Sequence, residues 1–290
     1  MLSQQIISGL AHGSLYALAA LGLVLIYKTS DLVNFAQGEM AMITTFVSFT
    51  FLSTTGLGYW GSFVFALIFA AIFGIVVEKT FMQRVQKAPV ISQIILTLGL
   101  YMAFRGLAGM IWGYDPRTYP EAMKGAPISL GNVHITPNEI FIFGITIGLM
   151  LVFFYLFRHT MTGLAMRAAS QNLQTSALMG ISVSTIFAMT WAISSILGGI
   201  AGMLIAPITF LDPNMMGEVA IKAFAAAVLG GFTSLPGAVI GGLFIGLFEN
   251  LVAGYISAEL KTAFVFFLII LILYVKPTGL LGAKPQIKKV

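Results

Sequence analysis

Nine apolar segments, joined by short polar ones, are the feature of this sequence that most constrains its fold. They cover residues 6–27, 40–55, 60–77, 90–112, 140–157, 184–207, 221–232, 237–255 and 262–275. A helix needs about 20 apolar residues to cross the hydrocarbon core of a bilayer. Only 9% of the residues are charged, against about 25% in soluble domains. The pattern therefore predicts an all-α integral membrane protein, a polytopic bundle of eight or nine transmembrane helices.

Segment 221–232 leaves the number of crossings open. At 1.5 Å per residue it spans only about half a bilayer. It is either lengthened by its neighbours or a re-entrant half-helix that enters the membrane and turns back. The first alternative gives nine crossings and the second gives eight. In both cases residues 1–290 are expected to form a single membrane domain.

The distribution of Lys and Arg predicts which side of the membrane each loop faces. Basic residues collect in short cytoplasmic loops, and this role accounts for the net charge of +5 without a nucleic-acid partner. With nine crossings, three basic groups share one side: Lys79, Arg84 and Lys87; Arg158 and Arg167; and Lys276, Lys284, Lys288 and Lys289. We therefore expect a cytoplasmic C-terminus and an external N-terminus. A re-entrant segment 221–232 would instead place the N-terminus inside.

One polar stretch, residues 158–183, interrupts the apolar pattern and is called the polar loop below. Apolar residues recur in it at steps of three and four, which is typical of one stripe of a short helix; they are Met166, Ala169, Leu173, Ala177, Leu178 and Ile181. The opposite face, with Arg167, Gln171, Asn172 and Gln174, would stay in water. The stripe suits docking into a groove of a soluble partner. An ordinary cytoplasmic loop with some helical content is the alternative.

Polar residues within or beside the apolar segments are candidates for a functional site, because they are costly in a membrane. Five are candidates for a translocation pathway or its gate: Asn34, Gln37, Glu39, Glu249 and Asn250. Each also has a structural alternative. Glu39 is placed to complement the positive N-terminal end of the next helix. Glu249 is a plausible partner of Lys222 or of Arg105.

Small residues spaced four apart predict that some helices pack closely. In lipid such rows let two helix backbones approach each other. The rows are Gly9, Gly13 and Ala17; Gly144 and Gly148; Gly198 and Gly202; and Ala238, Gly242 and Gly246, continued by Asn250 and Gly254. We expect the last and longest row to form a helix contact.

The sequence gives no sign of an enzyme. It lacks phosphate-binding, serine-hydrolase and zinc-protease motifs, so no catalytic residue is assigned. The three histidines are scattered without acidic neighbours at ligand spacing, so no metal site is predicted. Since no nucleotide-binding loop is present, uphill transport would draw its energy from an ion gradient or from an ATPase on another chain.

Several motifs resemble those of the permeases of branched-chain amino acid ABC importers. Residues 34–39, NFAQGE, are similar to the NFAxGE signature of that family. Residues 228–242, VLGGFTSLPGAVIGG, are similar to its VLGGxGSxxGAxxGG block, and residues 276–282, KPTGLLG, to its KPxGLxG close. Together with the start of the chain, the resemblance covers nearly the whole sequence.

The resemblance implies that the polar loop couples the permease to an ATP-binding subunit. It places the coupling helix at residues 168–181, and the implied coupling residues are Arg167, Ala168, Ala169, Leu173, Gln174, Ala177, Leu178, Gly180 and Ile181. The family usually has an acid followed by two alanines in this loop. Here Gln174, Thr175 and Ser176 stand in those places, so docking by shape is expected rather than docking by a salt bridge.

The resemblance also implies partners, cargo and location. A second permease chain, often a different one, two ATP-binding subunits and an extracytoplasmic solute-binding protein complete such importers, in the inner membrane of bacteria. This chain is then expected to bind no cofactor, since ATP and Mg²⁺ belong to the ATPase. Leucine, isoleucine and valine are the favoured cargo. An ion-coupled secondary transporter of a small neutral or zwitterionic solute is the alternative; it would need paired ionisable residues at mid-span.

Overall fold

The computed structural model describes residues 2–86, 88–130 and 133–282. Four of the lysines used to predict sidedness, Lys87, Lys284, Lys288 and Lys289, lie outside these ranges. The described chain is mostly helical. Its helices are α1 Leu2–Ser30, α2 Gln37–Thr54, α3 Gly58–Val77, α4 Gln83–Val85, α5 Val90–Trp112, α6 Pro137–His159, α7 Met161–Gln171, α8 Leu173–Leu178, α9 Val183–Thr209, α10 Gly217–Gly230, α11 Leu235–Tyr255 and α12 Lys261–Val275.

Two features interrupt the helices. A π-helical turn, Glu78–Met82, joins α3 to α4. Between α5 and α6, strands β1 (Ile128–Leu130) and β2 (Val133–Ile135) form an antiparallel hairpin. The hairpin was not expected from the sequence. It lies in a proline-containing stretch that is too polar to cross a bilayer.

Each of the nine apolar segments coincides with a helix, so a polytopic helical membrane protein is confirmed. Within the described residues, six helices are long and apolar enough to span a membrane. They are α1, α3 with its extension to Val85, α5, α6, α9 and α11. The other three, α2, α10 and α12, are shorter or less apolar. The total of eight or nine crossings therefore stays a prediction.

Helix α1 forms the centre of the bundle. In its most apolar stretch 89% of the residues are buried, against 28% for α5 and 22% for α6. It packs against α9, α10 and α11. The outer helices expose large apolar side chains such as Met102, Met110 and Leu151. Exposed apolar surface of this kind suits contact with lipid.

The contact between α1 and α11 depends on glycine, as the longest small-residue row predicted. A Cβ on Gly246 would lie 2.2 Å from the Cα of Gly13, and one on Gly242 would lie 2.4 Å from the Cα of Ala17. No side chain fits between backbones this close. By contrast, a Cβ on Gly144 or Gly148 would meet no atom within 4 Å in the described chain. That row forms no helix contact within the chain.

The three remaining helices begin inside the bundle. Gln37, the first residue of α2, lies beside Gly22 and Gly198, and Gly22 is about 12 Å before the end of α1 at 1.5 Å per residue. Gly38 in turn touches Met216 and Ala220 at the start of α10. The first residue of α12, Lys261, contacts Glu249 in the interior of α11. Helices α2 and α10 therefore begin beside each other within the bundle.

The two ends of the bundle differ in what they carry. At one end, here called the hairpin end, the Gln4 side chain bonds the backbone of His134 in β2 with two contacts of 2.8 Å. At the other, here called the loop end, Tyr27 packs 4.9 Å from Phe232 and Lys28 lies 5.3 Å from the Phe157 ring. The polar loop and residues 276–282 share the loop end. The described chain therefore starts and finishes at opposite ends, as an odd number of crossings gives.

Candidate functional site

A hydrogen-bond network fixes the start of α2 between α1 and α9. The Gln37 amide donates to the backbone oxygen of Ser194 at 2.8 Å. The Ser194 hydroxyl lies 2.8 Å from the backbone oxygen of Gly22 and 3.0 Å from the Gln37 side-chain oxygen. Asn34 accepts a bond from the backbone N–H of Ala36 at 3.0 Å. These contacts hold the non-helical segment before α2 inside the bundle.

An apolar cavity of about 390 Å³ opens where α2 and α10 begin. Asn34 and Gln37 line it with Ala19, Leu23, Leu98, Met216, Ala220, Phe224 and Phe266. In the described residues, neither α2 nor α10 has a side-chain cap at its N-terminus. The positive ends of two helix dipoles therefore point toward this region. Each of the two helices also has an acid in its first turn, Glu39 in α2 and Glu218 in α10, so the lining suits a small solute with an apolar side chain.

Glu39 lies near this cavity without forming its wall. It is in the first turn of α2 and only 2% exposed, and its Oε2 has no hydrogen-bond partner among the described residues. A carboxylate in the first turn of a helix interacts favourably with the helix dipole. The structure thus fits the structural alternative for Glu39, while a role in gating stays a prediction.

Arg105 does not pair with Glu249, which was one of the two partners considered for that acid. Its Nη1 donates to the Tyr101 hydroxyl at 2.6 Å, and its Nη2 bonds the side-chain oxygen of Asn214. Tyr101 lines the apolar cavity and Asn214 precedes α10. Arg105 therefore connects α5 to the entry of α10.

Glu249 pairs with Lys222, as the other alternative predicted. Lys222 Nζ lies 2.7 Å from Glu249 Oε1, and both side chains are only 4% exposed. The Tyr16 hydroxyl donates to Glu249 Oε2 at 2.9 Å. Lys261 contacts the same Oε1 at 3.2 Å, and Lys222 also contacts Glu218 at 3.2 Å. The cluster joins α1, α10, α11 and α12.

This cluster borders a second cavity, the polar cavity, of about 510 Å³. Its wall includes Glu218, Lys222, Glu249, Asn250 and Lys261, with His12, Tyr16, Ile205, Ile208, Phe210, Met215 and Val219. The five pathway candidates are therefore not neighbours in one site. Asn34 and Gln37 line the apolar cavity, whereas Glu249 and Asn250 line the polar one.

Helix α10 contributes residues to both cavities. Ala220, Ile221 and Phe224 border the apolar cavity, and Glu218, Val219 and Lys222 border the polar cavity. Residues three and four apart share a helix face. One short helix thus forms the partition between the two spaces. Sequence reasoning missed this partition because it depends on which helices are neighbours.

The polar loop is not one helix, and the prediction of a single apolar stripe is wrong. The chain breaks at Asn172, whose backbone is extended (φ −159°, ψ 108°). The Asn172 side chain accepts a bond from the backbone N–H of Thr175 at 3.0 Å and so starts α8. Asn is a favoured residue at the first position of a helix. The two halves of the stripe therefore face different surroundings.

The α7 half of the stripe faces the protein, and the α8 half faces solvent. Met166 and Ala169 are each only 2% exposed, so they pack within the chain. Leu178 and Met179 are 87% and 79% exposed. The remaining implied coupling residues also differ in exposure. Arg167 and Ala168 in α7, and Ile181 after α8, are half-buried. Exposed residues are Leu173, Gln174, Ala177 and Gly180.

The fold and its two cavities define a multi-pass membrane protein with a short exposed helix, α8, at the loop end. Residues 5–273 match the family described as branched-chain amino acid transport system, permease component. The chain belongs to this family, whose members are transport components rather than enzymes.

Two relatives show how far the similarity extends. The chain is 32% identical to the high-affinity branched-chain amino acid transport system permease protein LivH of Salmonella typhimurium, over 99% of this chain and 97% of the relative. It is 30% identical to the corresponding protein BraD of Pseudomonas aeruginosa, over the same shares. PsaBC from Streptococcus pneumoniae in complex with Fab aligns with a TM-score of 0.47 at 13% identity over 94% of each chain, a likeness too distant to support an argument.

Proposed function

We propose that this chain is the membrane-spanning permease subunit of an ABC importer and that α8 receives the motion of a partner ATPase. The observation that carries the proposal is the exposed apolar surface of α8, with Leu178 87% exposed at the end of a bundle otherwise embedded in lipid. Exposed apolar patches on soluble surfaces mark protein interaction sites. In a family of transport permeases, an ATP-binding subunit is the partner that fits.

The partners and cofactors follow from this role. The complete importer would contain a second permease chain, two ATP-binding subunits and an extracytoplasmic solute-binding protein. ATP and Mg²⁺ would bind to the ATP-binding subunits. Alternating access of the permease pair would then be driven by closure and opening of those subunits.

Branched-chain or other apolar amino acids are the proposed cargo. The apolar cavity offers apolar side chains, two uncapped helix N-termini and the amides of Asn34 and Gln37. A zwitterion with an aliphatic side chain fits such a lining better than a solute of high net charge. Both named relatives are described as branched-chain amino acid permeases.

The charge distribution supports a cytoplasmic loop end. The described basic residues there are Lys28, Lys79, Arg84, Arg158, Arg167 and Lys276, with the acids Asp31 and Glu78. At the hairpin end, Arg117, Lys124 and Lys261 are accompanied by Asp115, Glu121, Glu139 and Glu259. Basic residues favour the cytoplasmic side of a membrane. The C-terminal segment would then be cytoplasmic, and the polar cavity would lie toward the outside.

The buried pair of Lys222 and Glu249 is the one observation that favours the alternative, an ion-coupled secondary transporter. Such transporters use ionisable residues inside the membrane. Membership of a family of ABC-type permeases favours the first function. The two functions differ in whether the permease works without an ATPase.

The test of the coupling role is the substitution Leu178→Asp. A charge on the most exposed apolar residue of α8 should weaken the contact with the ATP-binding subunit, while the bundle inserts normally because Leu178 has little contact within the chain. Copurification of the tagged permease with its ATPase measures this. Met123→Asp, at an exposed residue between α5 and β1 (48%), is the matched control. Full retention of the ATPase by Leu178→Asp would contradict the proposal.

A further inference from the structure

The polar cavity contains a chain of four alternating charges. Glu218 contacts Lys222 at 3.2 Å, Lys222 contacts Glu249 at 2.7 Å, and Glu249 contacts Lys261 at 3.2 Å. The two inner groups are only 4% exposed. The outer two are open to solvent, with the side chain of Glu218 72% and that of Lys261 38% exposed. Along this chain of contacts the order is thus anion, cation, anion, cation.

The inner pair is already satisfied. Glu249 accepts from Lys222, Lys261 and the Tyr16 hydroxyl. Lys222 contacts two carboxylates and lies 5.5 Å from the Tyr16 ring. A buried ion pair is tolerated when its remaining hydrogen-bonding capacity is used. The inner pair therefore has little capacity left for a ligand.

The outer two groups, by contrast, keep capacity for a ligand. Within the described residues, Glu218 and Lys261 each have one ion-pair partner. An ammonium group has three donors and a carboxylate about four acceptor positions. The cavity therefore presents one available anion, Glu218, and one available cation, Lys261. The ion pair of Lys222 and Glu249, which has no net charge, connects them.

Where α9 ends and α10 begins, the wall also carries apolar side chains, beside the polar Thr209 and Asn214. Ile205, Ile208, Phe210, Met215 and Val219 line this part of the cavity. The volume of about 510 Å³ is within the range of small-molecule sites. A ligand that matches this wall has one positive group, one negative group and an aliphatic side chain.

We propose that the polar cavity is an outer binding site for a zwitterionic α-amino acid, separate from the apolar cavity beyond α10. The ammonium group of the solute pairs with Glu218, its carboxylate pairs with Lys261, and its side chain contacts the end of α9. The inference rests on the proposed function for the choice of cargo and for the outward orientation of the hairpin end. It adds a site through which the solute passes before it reaches the partition formed by α10.

The test uses the assembled complex of permeases and ATP-binding subunits in lipid nanodiscs, without nucleotide and without the solute-binding protein. Equilibrium binding of radiolabelled leucine is measured for wild type, Lys261→Met and Glu218→Gln. Loss of one charge-assisted contact should weaken binding about tenfold, which corresponds to about 1.4 kcal/mol. Lys261→Arg should bind nearly as well as wild type. Glu259→Gln, an exposed acid two residues before Lys261, is the matched control and should have no effect.

Competition identifies the chemical class. Leucinamide lacks the carboxylate and 4-methylpentanoate lacks the ammonium group, so neither should displace leucine efficiently. The proposal is overturned if either compound competes as well as leucine, if wild type binds no leucine, or if Lys261→Met and Glu218→Gln bind like wild type. Gel filtration and basal ATPase activity establish that each variant complex is intact.

Leucine uptake, measured with the solute-binding protein and ATP on vesicles of the same complex, separates the two proposals. Uptake by wild type with unchanged binding in the variants contradicts the outer site alone. Absence of any ATP-driven leucine uptake contradicts the proposed function itself.

Discussion

At the scale of single residues, Lys222 shows how a charge is retained inside a lipid-embedded bundle. Its side chain is 4% exposed and contacts both Glu218 and Glu249. An unpaired charge at this depth is costly. The stability of the folded permease should therefore depend on Lys222 and Glu249 being present together, and this coupling can be measured.

Lys222→Met should destabilise the permease by about 3–5 kcal/mol, because it leaves Glu249 buried with only Lys261 as a cationic partner. Removing both charges in Lys222→Met/Glu249→Met should restore most of the loss. Thermal unfolding of Lys222→Met, Glu249→Met and the double variant in detergent measures the coupling. If the stability lost in the double variant equals the sum of the losses in the two single variants, the two residues are not a coupled pair.

Sequence reasoning could name the charged residues but not their neighbours. It left Glu249 with two candidate partners, Lys222 and Arg105, because positions distant in sequence give no distances in space. It also grouped Asn34, Gln37, Glu39, Glu249 and Asn250 in one candidate pathway. The packing of α10 against both α1 and α11 separates them, and periodicity alone does not contain that information.

At the scale of helices, the α1–α11 contact shows what the small-residue rows do. The backbones approach so closely that a Cβ on Gly246 would lie 2.2 Å from the Cα of Gly13. Backbone atoms cannot move aside as the end of a flexible side chain can. Packing of this kind replaces the hydrophobic effect as the force between helices in lipid.

Gly246→Leu should therefore prevent normal assembly of the bundle, whereas Gly144→Leu should be tolerated. The second site is the matched control, since a Cβ there meets nothing within 4 Å in the described chain. The yield of monodisperse protein after detergent extraction distinguishes them. Equal yields of the two variants would show that assembly of the bundle does not require the close contact between α1 and α11.

The positions of the helices were predictable because each long apolar segment forms one. The polar loop was predicted less well. Its three- and four-residue steps fit a single helix, but Asn172 carries a competing signal. An Asn side chain that bonds the N–H three residues later starts a new helix, and this local bond outweighs the continuity of the apolar stripe.

At the scale of the whole molecule, the roles of α8 and of the polar cavity depend on how the bundle is oriented in the membrane. The polar loop and residues 276–282 lie at the loop end, and the hairpin and Lys261 lie toward the other end. If the loop end is cytoplasmic, α8 meets the ATPase and the polar cavity opens outward. The opposite orientation would reverse every functional assignment.

Orientation can be measured directly because the chain contains no cysteine. Single cysteines are introduced at two exposed positions, Gln174 in α8 and Glu259 before α12. A membrane-impermeant maleimide should label Glu259→Cys in intact spheroplasts and Gln174→Cys only after the membrane is permeabilised. The reverse pattern would show that the loop end faces outward.

The most direct measurement of the central claim is uptake of radiolabelled leucine by vesicles that contain either the permease chains alone or the complete complex with its binding protein. This claim is that the permease hydrolyses no ATP itself and that the conformational change of the ATP-binding subunit reaches it through α8. It predicts accumulation only with the ATP-binding subunits and ATP, and its loss with Leu178→Asp. Accumulation of leucine against its gradient by the permease chains alone would contradict it.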